Sequence, residues 1–227
     1  MRSVEGAVVL VVGASGGLGA RVAERLEAAG ATVIRAARNP ATLSGPDAYL
    51  ADLAVPGGAA SLLLAAAAAH PEHLDGLVIA AGAVAFGPID ELADDTIDAL
   101  FAVNTTAPIR LIRGAIPRLA ESAAAGRSPF IVTLSGVVAE SPTSGMAAYS
   151  ASKAGLWAFV QAASRELRRS GIRLLDARPG HTETTLSAHP LAGAAPAFAP
   201  GLDPDAVADR IVAAILADEK DLPSTAF

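Results

Sequence analysis

Short apolar runs alternate along the chain with longer stretches rich in alanine. Several of these runs have no polar residue at alternate positions, which is typical of strands that helices cover on both faces. The predicted strands are residues 7–12, 32–36, 49–51, 76–80, 129–135 and 173–177. The predicted helices are residues 19–29, 58–69, 95–122 with an interruption near Pro108, 148–169 and 204–216. This order of strands and helices predicts a parallel sheet with right-handed crossover connections.

The composition indicates one folded domain over residues 1–227. Apolar residues make up 52% of the chain and charged residues 18%, a balance that allows one sizeable core. We therefore expect an α/β fold with a single doubly wound domain, in which six or seven strands are covered by helices on both faces. Asp203 followed by Pro204 gives the last helix a capping side chain and a first-turn proline.

Charge and residue types restrict the classes of partner. A net charge of −6 argues against a general nucleic-acid binder, which needs a basic face. The chain has no cysteine, and His70, His73 and His189 lack the spacing of metal ligands. The apolar run at residues 7–12 is far too short to span a membrane. We expect a soluble, cytoplasmic protein without metal, membrane or nucleic-acid partners.

A glycine-rich turn follows the first predicted strand. Residues 12–19 read Val-Gly-Ala-Ser-Gly-Gly-Leu-Gly and open the first predicted helix. Glycines in such a turn let the backbone approach a pyrophosphate closely, and the helix N-terminus behind them attracts its negative charge. Glycine-rich turns between a strand and a helix also serve packing alone. The motif by itself therefore leaves both interpretations open.

A phenol and an ammonium group lie one helical turn apart in the predicted helix at residues 148–169. They belong to Tyr149 and Lys153. A phenol with its ordinary pKa of about 10 is a poor acid–base catalyst at neutral pH, and a neighbouring cation favours the phenolate. The same two residues on a solvated helix face would have no chemical role. The rest of the sequence has to decide between these interpretations.

The two motifs together resemble those of the short-chain dehydrogenase/reductase superfamily. Three residues separate Gly13 from Gly17 and one separates Gly17 from Gly19, as in that family. Nearly the whole chain falls into register with it. The other matching positions, in chain order, are Asp52 with Leu53, Ala81 with Gly82, Asn104, Tyr149 with Lys153, and residues 179–184.

The resemblance implies a Rossmann-type fold and an NAD(P)-dependent oxidoreductase that transfers a hydride between the nicotinamide and a carbonyl or alcohol. It implies that Tyr149 is the acid and that Lys153 lowers the pKa of Tyr149 and holds the nicotinamide ribose. Asn104 would distort its helix and hold a water for proton relay. The implied cofactor-binding residues are Gly13, Ser15, Gly17, Leu18, Gly19, Arg38, Asp52, Leu53, Ala81, Gly82, Tyr149, Lys153, Pro179, Gly180, Thr182 and Thr184.

The end of the second predicted strand bears on the choice of cofactor. A carboxylate about 20 residues past the glycines binds the ribose hydroxyls of NAD, whereas the 2′-phosphate of NADP calls for a guanidinium group. By resemblance the carboxylate position is Ala37, and Arg38 beside it is the phosphate-binding residue. We expect NADP(H) to be preferred, with NAD(H) as the alternative. A solvated arginine is the simpler interpretation of Arg38, and Arg35 is expected to point elsewhere.

One catalytic position departs from the family. The serine that orients the substrate carbonyl stands 13 residues before the tyrosine, and here that position is Gly136. Ser135 is one place away, and on an unshifted strand it would face the opposite side. Three interpretations follow. A bulge re-aims Ser135 as the fourth catalytic residue; Ser141, Thr143 or Ser144 supplies the hydroxyl; or the protein is slow or non-catalytic.

The last interpretation defines an alternative function, a NADP(H)-binding regulator or scaffold that kept the cofactor site and lost efficient chemistry. A sugar-nucleotide epimerase or dehydratase would use the same Tyr149 and Lys153. Those relatives have a larger C-terminal substrate domain, and only about forty residues follow Thr184 here. An NADPH-dependent reductase of a small, mostly apolar carbonyl, or the reverse alcohol dehydrogenase, is the leading interpretation.

Three expectations concern regions beside these motifs. The loop at about residues 185–203 is rich in proline and alanine, and it is expected to cover a mostly apolar substrate pocket. By resemblance, the helices at residues 95–122 and 148–169 pair across an interface, which implies a homodimer or homotetramer. Val12, Ile79 and Ala80 stand where the family has a threonine bonded to an asparagine-bearing strand. We expect an apolar contact there instead.

Overall fold

The computed structural model describes residues 3–38, 43 and 48–227, and in this part of the chain six strands form one parallel sheet. The strands are β1 (Val8–Val12), β2 (Thr32–Ala37), β3 (Ala48–Leu50), β4 (Gly76–Ile79), β5 (Phe130–Leu134) and β6 (Arg173–Ala177). Their order in the sheet is β3-β2-β1-β4-β5-β6. The chain runs from β1 to one edge, returns beside β1 as β4, and continues to the other edge. This is the doubly wound arrangement predicted from the sequence.

Helices cover both faces of the sheet. They are α1 (Gly17–Ala28), α2 (Gly58–Ala69), α3 (Asp94–Phe101), α4 (Ala107–Ala124), α5 (Ala147–Leu167) and α6 (Pro204–Leu216). One apolar core lies between the sheet and α2, α4 and α5, and a second lies between the sheet and α1 and α6. Because β1 is buried on both faces, Leu10 packs into the first core and Val11 into the second.

Most predicted elements lie where the sequence placed them. The helices α2 and α6 have the predicted bounds, and the carboxylate of Asp203 accepts a hydrogen bond from the Asp205 N–H at 3.0 Å as the N-cap of α6. A seventh strand is reduced to one residue of the described chain, Leu222, which pairs in parallel with Ala177. No helix in the described ranges is both long and apolar enough to cross a membrane.

The expected apolar contact between the first and fourth strands is present. Val12 is the register partner of Ile79 across β1 and β4, and both belong to the same buried core with 2% of their surface exposed. The Ala80 N–H donates to the Val12 carbonyl at 2.8 Å, so the backbone of β4 joins β1 here without a side-chain hydrogen bond. The contact fixes how closely the ends of these two central strands approach.

Replacing Val12 with threonine tests the apolar nature of this contact. We expect Val12→Thr to lower the free energy of unfolding by about 1–3 kcal/mol, because the hydroxyl is buried beside apolar side chains. Urea denaturation measures the change. Val55→Thr is the matched control, since Val55 is 48% exposed and its hydroxyl reaches water. A Val12→Thr variant as stable as the wild type, or more stable, would contradict the assignment.

Candidate active site

The glycine-rich turn after β1 has no room for side chains at two positions. A Cβ on Gly13, where φ is 90°, would lie 2.5 Å from the Ala81 backbone nitrogen, and a Cβ on Gly19 would lie 2.2 Å from the Gly13 carbonyl oxygen. The N–H groups of Gly13 and Ala14 both donate to the Ala36 carbonyl, at 2.8 and 3.0 Å. The turn is thus held between the ends of β2 and β4. Only glycine satisfies this packing.

The turn presents the N-terminus of α1 toward open space. Gly16 is exposed, with nothing within 4 Å of a Cβ built on it, and α1 has no acidic residue in its first turn. A Cβ on Gly17 would lie 3.7 Å from the side chain of Thr184, so residues 179–184 border the same opening. Unpaired N–H groups and a small, uncharged rim fit a dinucleotide pyrophosphate. Ser15 and Leu18 are half-buried in this turn.

The residues expected at the adenosine end lie beside each other at the ends of β2 and β3. The Ala51 N–H donates to the Ala37 carbonyl at 2.9 Å, and this bond joins the segments that carry Arg38 and Asp52. Both side chains are exposed, whereas Leu53 is buried. Arg35 points elsewhere, as expected, and forms two hydrogen bonds with Glu27 at 2.9 and 3.1 Å.

Asn104 lies in a distorted stretch of helix, as predicted. A π-helical turn at Ala102–Thr106 separates α3 from α4, where the Ala107 N–H donates to the Ala102 carbonyl. Pro108, four residues after Asn104, has no N–H with which to close a regular turn. The fully buried side chain of Asn104 bonds both backbone groups of Ala83, at 2.9 and 2.8 Å, and donates to the Ser152 hydroxyl at 3.0 Å. It therefore ties the segment after β4 to α5.

Tyr149 and Lys153 lie on α5 above the ends of β4 and β5. The Lys153 Nζ donates to the Leu134 carbonyl at 2.8 Å and lies 6.0 Å from the centre of the Tyr149 ring. A Cβ on Gly82 would lie 3.4 Å from this Nζ and 3.5 Å from the Asn104 Oδ1. The structure thus brings Lys153, Asn104 and Gly82 together, with Tyr149 one helical turn away.

Burial sets the protonation of the tyrosine and lysine pair. Desolvation raises the pKa of Tyr149 to about 12. It also lowers the pKa of Lys153 to about 8, and the negative charge of Asp176 opposes this second shift. The expectation that Lys153 lowers the pKa of Tyr149 is not met: apolar groups pack against the half-buried ring and disfavour its anion, and the pKa is raised. Tyr149 is therefore a proton donor at neutral pH.

Ser135 does not offer its hydroxyl to a substrate. It is completely buried, and its hydroxyl donates to the carboxylate of Asp176 on β6. Thr133, two residues earlier, donates to the same carboxylate at 2.5 Å. Thr133 and Ser135 point to the same side of the strand, as residues two positions apart do in a regular strand. No bulge therefore turns the Ser135 side chain toward the substrate. The N–H groups of Ser135 and Gly136 do share the Ala177 carbonyl, at 3.1 and 3.3 Å.

The other candidate hydroxyls lie on the segment between β5 and α5. Ser141, Thr143 and Ser144 are all exposed, and the Thr143 hydroxyl donates to the Ser141 carbonyl at 3.2 Å. Gly136 has a φ of 76°, and a Cβ there would come no nearer than 3.7 Å to the Pro179 carbonyl. The glycine thus leaves room at the position where the family has its serine.

The loop expected to cover the substrate packs against residues 84–86 after β4. The Leu191 N–H donates to the Val84 carbonyl at 2.8 Å, and the Phe86 N–H donates to the Ala192 carbonyl at 3.0 Å. Val84 and Phe86 form a small apolar cluster with Met146, against which Tyr149 packs. Phe198 stacks on His181 with 4.3 Å between ring centres. The surface between this loop and Tyr149 is therefore mainly apolar.

The sequence motifs did not single out two buried ionisable residues at the end of β6. Asp176 and Arg178 are 1% and 2% exposed, and the Arg178 Nη1 lies 3.2 Å from an Asp176 carboxylate oxygen. The available signal was the pair of ionisable residues within an otherwise apolar run at a strand end. Sequence reasoning treated the run only as a strand.

These features define a nucleotide-binding oxidoreductase of the doubly wound class. The family model for short chain dehydrogenase matches residues 7–192, and the chain belongs to that family. It is accordingly an NAD(P)-dependent oxidoreductase, and its cofactor is a nicotinamide dinucleotide.

Relatives and solved structures agree with this assignment. An uncharacterised oxidoreductase of Staphylococcus epidermidis is 28% identical over 195 residues, which cover 82% of this chain and 83% of that protein. A short-chain dehydrogenase from Sphingobium yanoikuyae in complex with NADPH is 27% identical with a TM-score of 0.83, covering 96% of this chain and 87% of that one. A 3-ketoacyl-(acyl-carrier-protein) reductase from Brucella melitensis complexed with NADH shares the fold, with a TM-score of 0.86 at 24% identity over 97% of both chains.

Replacing Ser135 with alanine separates a structural hydroxyl from a catalytic one. We expect Ser135→Ala to lower the free energy of unfolding by about 1–3 kcal/mol, because the Asp176 carboxylate loses a buried partner. The kcat/KM should fall by less than about tenfold, against the roughly hundredfold loss expected for a donor to the reacting oxygen. Urea denaturation and steady-state kinetics measure the two effects. Ser61→Ala, at an exposed position of α2, is the control. A loss of a hundredfold without destabilisation would make Ser135 catalytic.

Proposed function

We propose that the protein is an NADPH-preferring carbonyl reductase, and in reverse an alcohol dehydrogenase, for small and mostly apolar substrates. The observation that carries the proposal is the convergence of Lys153, Asn104 and Gly82 beside Tyr149. This group adjoins the opening between the glycine-rich turn and residues 179–184. A proton donor, a cation and an anion-binding helix terminus are thus within one region at the carboxyl ends of the strands, where doubly wound sheets bind their ligands.

The chain's own residues supply the proton and the electrostatics of the reaction. When bound, the reduced nicotinamide supplies a hydride to the carbonyl carbon. Tyr149 donates its phenolic proton to the carbonyl oxygen, which becomes the alcohol. Lys153 stabilises the negative charge left on the phenol oxygen and holds the ribose of the cofactor. Asn104 holds a water that returns a proton from solvent toward Lys153 and Tyr149.

Near neutral pH, Tyr149 is in the protonated form that carbonyl reduction requires. Its raised pKa, about 12, keeps the phenol protonated, and that is the form that donates. Alcohol oxidation needs the phenolate, and burial disfavours this anion. No hydroxyl side chain stands at position 136, so Tyr149 is also the main hydrogen-bond donor to the substrate oxygen in the proposed reaction.

The cofactor preference is proposed from the end of β2. Ala37 is buried and carries no carboxylate to repel a 2′-phosphate, and the exposed Arg38 follows it directly. Arg35 is engaged by Glu27, so Arg38 is the arginine at this strand end that we propose binds the 2′-phosphate. Gly13, Ser15, Gly17, Leu18 and Gly19 would hold the pyrophosphate. The residues proposed to hold the rest of the cofactor are Asp52, Leu53, Ala81, Gly82, Pro179, Gly180, Thr182 and Thr184.

A second candidate function is a NADP(H)-binding regulator or scaffold. The observation that favours it is the buried Ser135, whose hydroxyl is bound to Asp176, together with Gly136 at the family's serine position. Removal of one donor from an oxyanion site slows an enzyme by on the order of a hundredfold. A loss of this size leaves a measurable enzyme, so the reductase is the better supported proposal.

Turnover with a panel of carbonyl compounds tests the proposed reaction. We expect oxidation of NADPH in the presence of small apolar diketones, quinones or aromatic aldehydes, and a loss of about a hundredfold or more in kcat for Tyr149→Phe, which removes the proton donor. NADPH binding, followed by fluorescence on the same sample, should be unchanged in that variant. Tyr49→Phe, which alters the chain's other tyrosine, is the matched control. Tight NADPH binding without turnover on any carbonyl would instead support the regulator.

Substitution of Arg38 tests the cofactor preference. Arg38→Ala should raise the KM for NADPH by about ten- to a hundredfold, since a hydrogen bond to a charged group contributes roughly 1.5–3 kcal/mol. The KM for NADH should stay the same, because NADH has no 2′-phosphate. Arg35→Ala, which removes the arginine paired with Glu27, serves as the control and should affect both cofactors alike. An equal effect of Arg38→Ala on NADPH and NADH would refute the assignment.

A further inference from the structure

Asp176 is a buried charge to which the proposed reaction assigns no role. It lies on β6 with 1% of its surface exposed, within a strand whose other residues are mainly apolar. Placing an ionised carboxylate in such a position costs several kcal/mol unless it has charged or hydrogen-bonding partners. A buried carboxylate beside an active site is therefore expected to have such partners.

Three donors surround the Asp176 carboxylate. The hydroxyls of Thr133 and Ser135 both donate hydrogen bonds to it. The Arg178 Nη1 lies 3.2 Å from the Asp176 Oδ2. Burial raises the pKa of Asp176, and these three donors act against that rise. The pKa of Asp176 stays above its ordinary value because burial is the larger effect, and the two hydroxyls and the guanidinium group are the partners that stabilise its charged form.

The same strand end holds the Lys153 ammonium group. Its Nζ donates to the carbonyl of Leu134, the residue between Thr133 and Ser135. Leu134 is also the register partner of Ala177, which follows Asp176 on β6. Lys153 and Asp176 are thus anchored to consecutive residues of β5. Burial lowers the pKa of Lys153, and the attraction between its ammonium group and Asp176 partly offsets this decrease.

The other charges near this strand end are already engaged. Arg178 contacts Glu140 and Asp221 as well as Asp176, and its guanidinium group lies 5.2 Å from the centre of the Trp157 ring on α5. Tyr149, the remaining ionisable group on α5 beside Lys153, is neutral near pH 7 because burial raises its pKa. Asp176 is therefore the carboxylate that acts on the lysine.

We propose that Asp176 is a positioning residue that acts through Lys153: its buried carboxylate, held by Thr133 and Ser135, keeps the Lys153 side chain charged and in place for proton transfer. The importance of this charge for catalysis rests on the proposed reductase function. The electrostatic link between the two residues does not, because it belongs to the folded chain.

The titration of Lys153 can be followed by NMR without overlap from many signals, because the chain contains only two lysines, Lys153 and Lys220. Protein labelled with ¹³C at the lysine ε-carbon gives two signals, and Lys220→Arg assigns them. The signal of the buried Lys153 should titrate in the wild type with a midpoint of about 8. In Asp176→Asn the midpoint should fall by about one pH unit or more, because the opposite charge is lost. The exposed Lys220 is the internal reference in each sample.

A matched control separates Asp176 from the rest of the charged cluster. Asp221→Asn removes another carboxylate of Arg178 and should leave the Lys153 midpoint unchanged. In Asp176→Asn, Arg178 keeps Glu140 and Asp221, so we expect the variant to fold. If it does not, Asp176→Ser removes the same charge with a smaller side chain. An unchanged Lys153 midpoint in the folded Asp176 variant would overturn the proposal, as would an equal shift in Asp221→Asn.

Kinetics add a second readout that a purely structural role would not produce. Carbonyl reduction needs the Lys153 ammonium, so kcat/KM should decline as the pH rises through the pKa of Lys153. The ratio of Asp176→Asn to wild-type kcat/KM should be near one at about pH 6 and fall to roughly one tenth at about pH 9, as a shift of one pH unit requires. A ratio equally low at all pH values would show only damage to the fold. Because the NMR titration needs no substrate, a failure to find turnover leaves that test standing.

Discussion

The site depends on the close approach of two backbones, Gly13 after β1 and Ala81 after β4. A Cβ on Gly13 would lie 2.5 Å from the Ala81 nitrogen, so no side chain fits between the two segments. This approach places the turn at the centre of the sheet and sets the point at which α1 begins. The apolar pair Val12 and Ile79 lies directly beneath it, and its packing fixes the separation of the strands. The position of the α1 N-terminus, which is proposed to bind the pyrophosphate, thus follows from the packing of the core.

Above this contact, the balance between burial and charge governs the site. Burial opposes the charged forms of both Tyr149 and Lys153, and the carboxylate of Asp176 favours the charged form of the lysine. Ser135 illustrates how closely packing and chemistry are coupled. The alternation of side chains along the strand points the Ser135 hydroxyl toward Asp176, to which it donates a hydrogen bond. A serine one position later, at the family's position 136, would point to the other side.

Sequence patterns were sufficient to predict the architecture. The succession of strands and helices along the chain, the interruption of the long helix and the bounds of α2 and α6 follow from local features such as apolar runs, Pro108 and the Asp203 cap. Helical periodicity was sufficient to predict that Tyr149 and Lys153 lie one turn apart, whereas Asn104 and Gly82 were assigned to the same site by resemblance to the family.

The rest could not be predicted because it depends on contacts between distant segments. The partner of the Ser135 hydroxyl lies 41 positions away on another strand, and no local pattern reveals which face of β6 Asp176 occupies. The protonation of Tyr149 likewise reflects how many apolar groups surround the ring, and folding alone determines this number. The Asp176 and Arg178 pair was visible as two charges in an apolar run, but the sequence did not show that both are buried.

The attachment of the loop over the pocket also has an evolutionary consequence. The two hydrogen bonds that join it to residues 84–86 involve backbone atoms alone, from Leu191 and Ala192. Side-chain substitutions at Leu191 and Ala192 therefore leave these two bonds intact, whereas Gly193 must stay glycine because a Cβ there would lie 2.0 Å from the Phe86 carbonyl oxygen. A protein built in this way can acquire new substrates by mutation of one segment, without rebuilding the residues on α5 proposed to transfer the proton or the residues proposed to hold the nucleotide.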